Sequence, residues 1–184
     1  MATVSLPPPG YPDWLETEEV DRAGNPLSVR PIVPGDAAGL VEFHEGLSPE
    51  TSYRRYFSSH RHLIPAEVHH LTEVDYIDRL ALLALRDGRI VGVARYDRLP
   101  EADEAEVAFV VTDAEQGRGI GSLLLDRLAT AARSRGIRRL RAQTLVGNTP
   151  MLAVFCGSGH PVRLGTGGGV VDVVIDLGTP GTPA

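Results

Sequence analysis

The chain has 184 residues, of which 42% are hydrophobic and 23% charged, a composition typical of a globular domain. All 18 of its Lys and Arg residues are arginine. A chain without lysine can supply neither the lysine of a Walker-type phosphate loop nor the amine of a Schiff-base enzyme, so both classes are excluded. Its net charge of −6 gives no electrostatic reason to expect nucleic acid or a membrane surface as a partner.

Two features bear on the cellular compartment. Cys156 is the single cysteine, so an internal disulfide cannot form, which is usual in a reducing compartment. Residues 1–9 lack the basic and apolar regions of a signal peptide, and the apolar runs are shorter than the roughly 20 residues of a membrane-spanning helix. We expect a cytoplasmic protein that acts as a monomer or homodimer.

The chain is expected to contain one domain with short appendages. Residues 1–26 carry a proline run and an acidic stretch and predict an N-terminal tail that lies over the domain, with Trp14 as its anchor. The domain itself is expected over residues 27–177, and residues 178–184 predict a flexible C-terminal stub.

Hydrophobic periodicity and cap signals predict a mixture of strands and helices. In chain order these are a strand at 27–33, a helix at 36–47 capped by Asp36, a helix at 48–56 with Ser48 as N-cap, a helix at 65–71, a hairpin of strands 80–85 and 90–96 with its turn at Asp87-Gly88, a strand at 105–111, a helix at 121–135 stopped by Gly136, a strand at 137–145, a short helix after Asn148, and strands at 162–164 and 170–177. This order predicts an α/β (α+β) domain with a mixed sheet whose middle strands are antiparallel.

The segment with the clearest chemical meaning joins the strand at 105–111 to the helix that follows it. It reads Gln116-Gly-Arg-Gly-Ile-Gly-Ser122. Its three glycines let the backbone approach a ligand closely, and the free N–H groups and dipole of the helix favour a phosphate there. Arg118 adds a positive charge. A turn that only reverses the chain is the alternative interpretation. A dinucleotide site is disfavoured because the strand at 137–145 does not end in an acidic residue.

The pattern Gln116-x-x-Gly119-x-Gly121 between a strand and a helix resembles the pyrophosphate loop of the GNAT acyltransferases. The resemblance covers residues 27–177 and implies a single GNAT-type domain with a mostly antiparallel central sheet, helices on both faces, and a splay between the fourth and fifth predicted strands. It also implies acetyl-CoA as a co-substrate, with its pantetheine arm paired to the strand at 105–111. The residues implied to bind it are Phe109, Val110, Val111, Gln116, Gly117, Arg118, Gly119, Ile120, Gly121, Ser122, Asn148, Met151 and Phe155.

A narrower resemblance concerns residues 47–57, 74–84 and 105–109, which look like the acetyltransferase domain of bacterial Pat-type protein lysine acetyltransferases. It implies Glu106 as the catalytic base, and we expect partial burial to raise the pKa of its carboxyl. A solvated residue at the start of a strand is the alternative, and Glu104 is the nearest competitor because it points to the same face. Ser158 stands where family members often carry a tyrosine that acts as the general acid, which is a departure from the pattern.

These features predict an acetyl-CoA-dependent N-acetyltransferase without a metal. Its acceptor is an amine, and a protein lysine is favoured. The alternatives are a small-molecule amine N-acetyltransferase and a non-catalytic acyl-CoA-binding regulatory module.

Several other residues that could suggest function are expected to be structural or solvated. His60-x-His62 and His69-His70 match no usual zinc spacing and are expected to be solvated residues at helix ends. Cys156 lacks a convincing base. Arg138-Arg139-x-Arg141 is expected to lie on an exposed edge, whereas Arg54-Arg55 could contact acidic groups of a substrate.

Overall fold

The structure is a computed structural model that describes residues 7–57, 62–100 and 103–178. Within these ranges the strands are β1 (Thr17–Val20), β2 (Pro26–Pro31), β3 (Arg79–Arg86), β4 (Arg89–Arg98), β5 (Glu104–Val111), β6 (Arg139–Leu145), β7 (Val162–Gly167) and β8 (Val170–Asp176). The helices are α1 (Ala37–Glu45), α2 (Pro49–Tyr56), α3 (Pro65–Thr72), α4 (Ile120–Ser134) and α5 (Thr149–Cys156). His60 and all of the predicted C-terminal stub except Gly178 lie outside the described residues.

Local cap signals position two of the helices near the cleft. The Ser48 hydroxyl accepts a hydrogen bond from the Thr51 N–H at 3.1 Å, and Pro49 is the first residue of α2, as predicted. Gly136 follows α4 with φ +78°, a conformation suited to glycine. Asp36 departs from its prediction: its carboxylate makes no cap bond to α1 and instead accepts from the Val33 N–H and the Arg30 guanidinium.

Strand β1 lies in the segment that was expected to be a tail. It pairs antiparallel with β2, and Glu19 forms an ion pair with Arg127 on α4. Leu15, 2% exposed, is the buried residue beside it, whereas Trp14 is 52% exposed, so the prediction that Trp14 anchors this segment is wrong. The sequence signal was missing because Thr-Glu-Glu-Val has no apolar alternation and is held through backbone pairing at the sheet edge.

The eight strands of the described residues form one sheet in the order β1-β2-β3-β4-β5-β6-β8-β7. Neighbouring strands are antiparallel except β5 and β6, which are parallel. This parallel pair is short: its last register partners are Glu106 and Arg141, and the two strands diverge beyond them. The predicted splay is therefore present, and it opens immediately after Glu106.

Helices cover both faces of the sheet, as predicted. Leu124 and Leu128 of α4 and Phe155 of α5 are buried on one face, and Leu40 and Phe43 of α1 are buried on the other. Strand β6 lies between β5 and β8 in the interior of the sheet, so the prediction that its arginines line an exposed edge is wrong. The prediction rested on side chains that alternate faces along a strand in an acidic chain, but strand order is decided by long-range pairing that such local features do not contain.

Candidate active site

The divergence of β5 and β6 opens a cavity of about 380 Å³. Its walls come from β5, β6, α2, α5 and the glycine-rich loop that opens α4. Every residue of the predicted site lines it except Arg118. Residues that are distant in sequence, such as Glu106, Gly119 and Asn148, therefore share one cavity.

The glycine-rich loop exposes backbone donors at the N-terminus of the 15-residue helix α4. Gly117 and Gly119 have φ of +76° and +86°, the left-handed region in which a side chain is strained. Within the part of the chain that the structure describes, the N–H groups of Gly119, Gly121 and Ser122 have no hydrogen-bond acceptor. Such N–H groups, together with the helix dipole, form a site for an anion of phosphate type.

A hydrogen-bond network fixes this loop to α2. Asp113 accepts from the Ser48 hydroxyl at 2.7 Å and from the Thr51 hydroxyl at 2.8 Å. The side-chain amide of Gln116 donates to the Thr51 hydroxyl and to the Val111 carbonyl, both at 3.1 Å. Burial disfavours the charged form of Asp113, but the bonds from Ser48 and Thr51 outweigh it and lower the pKa of the carboxyl. The network holds the loop, β5 and α2 in one arrangement.

Arg22, and not the predicted Arg118, is the arginine at the loop that lines the cavity. The Arg118 guanidinium turns away from the cavity, 3.7 Å from Asp21 and 3.6 Å from Glu115. Arg22, in the turn between β1 and β2, lines the cavity and lies across Gly119. Sequence reasoning missed Arg22 because no local signal connects the N-terminal segment with a loop nearly 100 residues later.

The two candidate carboxylates on β5 have different surroundings. Glu106 is exposed and lines the cavity, so the partial burial that was expected for it is absent. Glu104 has only 6% of its side chain exposed and is ion-paired with Arg139, at 2.9 Å between Nε and Oε1, and with Arg141. Glu104 is thus engaged in joining β5 to β6, and Glu106 is the carboxylate that faces the cleft.

Arg54 and Arg55 of α2 both line the cavity. Arg54 is ion-paired with Glu50 at 2.5 Å. Burial lowers the pKa of the Arg55 guanidinium, while the neighbouring Tyr56 and Glu106 act in the opposite direction. Arg55 therefore places a partly desolvated positive charge on the side of the cavity that contains Glu106.

The opposite wall is formed by α5 and is largely apolar. The Asn148 side chain caps this helix by accepting from the Met151 N–H at 3.4 Å. Phe155 is buried and meets Phe109 edge to face, with ring centroids 5.8 Å apart. Ser158 follows α5 outside the set of lining residues, and its hydroxyl accepts from the His160 N–H.

The remaining candidates lie away from the cavity. His69 and His70 are exposed in the last turn of α3, as expected, and Cys156 is exposed at the end of α5. No group of three or more potential metal-binding side chains occurs among the described residues. Over the same ranges, no helix is both long and apolar enough to cross a membrane.

A splayed parallel strand pair beside a glycine-rich helix N-terminus defines an acyltransferase domain of the GNAT type. Comparison with known proteins agrees, since residues 41–157 match the family described as "Acetyltransferase (GNAT) family". The chain belongs to the acetyltransferase (GNAT) family, and by family it is an acetyl-CoA-dependent acetyltransferase domain.

Individual relatives are similar over most of the chain. Acetyltransferase Pat of Mycolicibacterium smegmatis is 38% identical over 137 residues, which are 73% of this chain and 41% of that protein. Acetyltransferase PA5475 of Pseudomonas aeruginosa is 29% identical over 150 residues, 79% of each chain. The crystal structure of the GNAT domain of S. lividans PAT is 41% identical, with a TM-score of 0.85, and the match covers 90% of this chain and 99% of that one. The match thus covers less than half the length of the mycobacterial Pat protein.

Proposed function

We propose that this chain transfers the acetyl group of acetyl-CoA to an amine, with a protein lysine as the favoured acceptor and Glu106 as the general base. One observation carries the proposal: the carboxylate of Glu106 opens into the same cavity as the glycine-rich loop, at the point where β5 and β6 separate. The proposed reaction takes place in the cytoplasm and requires no metal.

The donor half of the proposal uses backbone groups. The N–H groups of the loop around Gly119 and Gly121 would hold the pyrophosphate, and Arg118 remains part of the proposed set as a nearby charge. Beyond Glu106 strand β5 no longer pairs with β6, so the backbone groups on that edge, apart from the Val111 carbonyl that accepts from Gln116, need partners that the pantetheine amides can provide. Asn148 lies on the facing wall, close enough to the cavity to contact the same arm.

The acceptor amine must lose a proton before its nitrogen can attack the thioester. An ammonium has no lone pair, so Glu106 takes its proton, directly or through water, and the neutral nitrogen attacks the thioester carbon. A C–N bond forms and the C–S bond breaks; the second proton lost from the nitrogen passes to the departing thiolate, so the products are the N-acetylated acceptor and the thiol of CoA. A thiol with a pKa near 8.5 is a tolerable leaving group, so its departure does not depend on a side-chain acid at the position of Ser158.

Support for a protein lysine comes from the segments that resemble Pat-type enzymes. One of them, residues 47–57, contains α2, whose Thr51, Arg54 and Arg55 line the cavity. This similarity, together with the identity to the two Pat proteins, favours a protein acceptor over a small amine. A specific observation favours the non-catalytic alternative: Ser158 stands in the place of the usual tyrosine and does not line the cavity.

The test measures thiol release from acetyl-CoA with lysine-containing peptides and with small-molecule amines, for the wild type and Glu106→Gln. CoA affinity is measured in parallel. The proposal expects transfer to peptides that falls at least 100-fold in the variant while CoA affinity is retained. Faster transfer to small amines would support the small-molecule alternative. CoA binding without transfer in either protein would support the binding module and refute the proposal.

A further inference from the structure

Three arginines meet at the glycine-rich loop, and two of them are ion-paired. Arg86 lies 2.8 Å from Asp21 and 3.1 Å from Glu115. Arg118 lies 3.7 Å and 3.6 Å from the same two carboxylates. Arg22 forms no ion pair with any carboxylate in the described part of the chain. The two carboxylates therefore balance Arg86 and Arg118 and leave Arg22 as an uncompensated cation.

The backbone of Arg22 is held firmly in place. Asp21 accepts hydrogen bonds from the N–H groups of Ala23 and Asn25, both at 2.9 Å, which closes the turn between β1 and β2. The Arg22 N–H donates to the carbonyl of Arg118, also at 2.9 Å, and so ties this turn to the loop. Arg22 is thus presented to the loop by a hydrogen-bonded turn.

The side chain of Arg22 lies directly on the backbone of Gly119. A Cβ atom at residue 119 would lie 2.8 Å from the Cγ and 3.0 Å from the Nε of Arg22. The positive φ favours glycine at residue 119, and the Arg22 side chain, which also lines the cavity, occupies the space that a Cβ would take. The guanidinium consequently sits beside the free N–H groups that open α4.

Arg22 is solvent-exposed, so the repulsion between its cation and the N-terminus of α4 is weak, but its direction favours an anion at this position. The N-terminus of a helix carries a partial positive charge, and a cation next to it is destabilised. An anion bound at the same position makes the electrostatic energy of this arrangement favourable, because the anion is attracted by the N–H groups and by the guanidinium together. Among the described residues of the cluster, Arg22 is the arginine without a carboxylate partner, and its position at a helix N-terminus suits an anion.

We propose that Arg22 is a ligand of the CoA phosphates, and that it adds a charge-assisted hydrogen bond to the contacts from the loop. This inference rests on the donor half of the proposed function and assigns a new residue to it. CoA carries phosphate at two places, the pyrophosphate and the 3′-phosphate. Contact with Gly119 favours the pyrophosphate, because the loop N–H groups converge there.

The test compares Arg22→Gln with the wild type by calorimetric titration of CoA and of 3′-dephospho-CoA. The matched control is Arg163→Gln, which removes the same charge from an exposed residue of β7 that does not line the cavity. Loss of one charge-assisted hydrogen bond predicts about tenfold weaker CoA binding in Arg22→Gln and unchanged binding in the control. In turnover, KM for acetyl-CoA should rise by a similar factor while kcat at saturation stays the same, and Arg22→Lys should restore part of the affinity.

The two ligands identify the phosphate involved. If Arg22→Gln binds both ligands more weakly by the same factor, Arg22 bonds to the pyrophosphate. If it binds only CoA more weakly, Arg22 bonds to the 3′-phosphate. Unchanged affinity for both ligands, with unchanged thermal unfolding, overturns the assignment of Arg22 while leaving the proposed function intact. If the wild type binds neither ligand, the proposed function fails, and that result is distinct from a failure at Arg22.

Discussion

Replacing Glu106 with glutamine retains the size of the side chain and removes its ability to accept a proton. An alkyl ammonium with a pKa of about 10.4 is neutral in only about one molecule in 10³ at pH 7.4. A general base overcomes this limit by taking the proton within the active site, a contribution typically of about 10²–10⁴-fold. Because Glu106 is exposed and water reaches it, we expect kcat/KM of the variant to fall about 10²–10³-fold at pH 7.4.

The loss of kcat/KM in Glu106→Gln should become smaller as the pH rises. The variant can react only with acceptor that is already neutral, and this fraction rises tenfold for each pH unit below the amine pKa. The ratio of wild-type to variant kcat/KM should therefore shrink by about tenfold per unit as the pH rises toward 10. Thiol release recorded at saturating acetyl-CoA between pH 7 and pH 9.5 measures this ratio directly.

Glu104→Gln is the matched control, since Glu104 lies two residues away on the same strand face. Its carboxylate is paired with Arg139 and Arg141, so the substitution should lower thermal stability but leave the pH profile of kcat/KM like that of the wild type. A deficit in Glu106→Gln that is constant across the pH range, or one explained by weaker acetyl-CoA binding, would refute the role of Glu106 as a base.

Two further substitutions test the scaffold that positions the site. A Cβ at residue 92 would lie 3.2 Å from both Ile120 Cγ2 and Leu124 Cδ1, so Gly92→Ala overpacks the contact between β4 and α4. Overpacking costs about 1–3 kcal/mol and the lower entropy of the unfolded chain returns about 0.4–1 kcal/mol, so the mid-range net loss is roughly 1 kcal/mol. At about 2–4 °C per kcal/mol for a domain of this size, we expect a Tm about 2–4 °C lower by calorimetry, and an unchanged or higher Tm would contradict the packing argument. Asp113 has a folded-state pKa below its usual 3.8, so its stabilising effect is present above that value and is lost as the pH falls through the folded pKa. Asp113→Asn should therefore lower the urea midpoint at pH 7 and do so less at pH 3, whereas an equal loss at both pH values would show that its charge is not involved.

Local sequence signals predicted the elements that depend on neighbouring residues. Ser48 and Pro49 begin α2 because a hydroxyl cap and a fixed φ act within one helical turn. Asp87 and Gly88 form the turn between β3 and β4 with φ of 50° and 75°, values that this residue pair readily adopts. The glycine-rich loop was recognised in the same way, since its positive φ values are a property of its own residues.

The contacts that complete the site depend on residues far apart in the chain. Glu104 and Glu106 are two residues apart and look alike in sequence, and only the pairing of β5 with β6 buries one against Arg139 and Arg141 and leaves the other facing the cavity. Arg22 meets Gly119 only because the turn between β1 and β2 packs on the loop.

By itself, therefore, the sequence determined the helices, the hairpin and the phosphate-type loop, because caps, turns and hydrophobic periodicity act over a few residues. Tertiary structure decided which carboxylate is free, which arginine faces the cavity and where β1 and β6 lie in the sheet, because these depend on long-range pairing and on the balance of charges that it brings together.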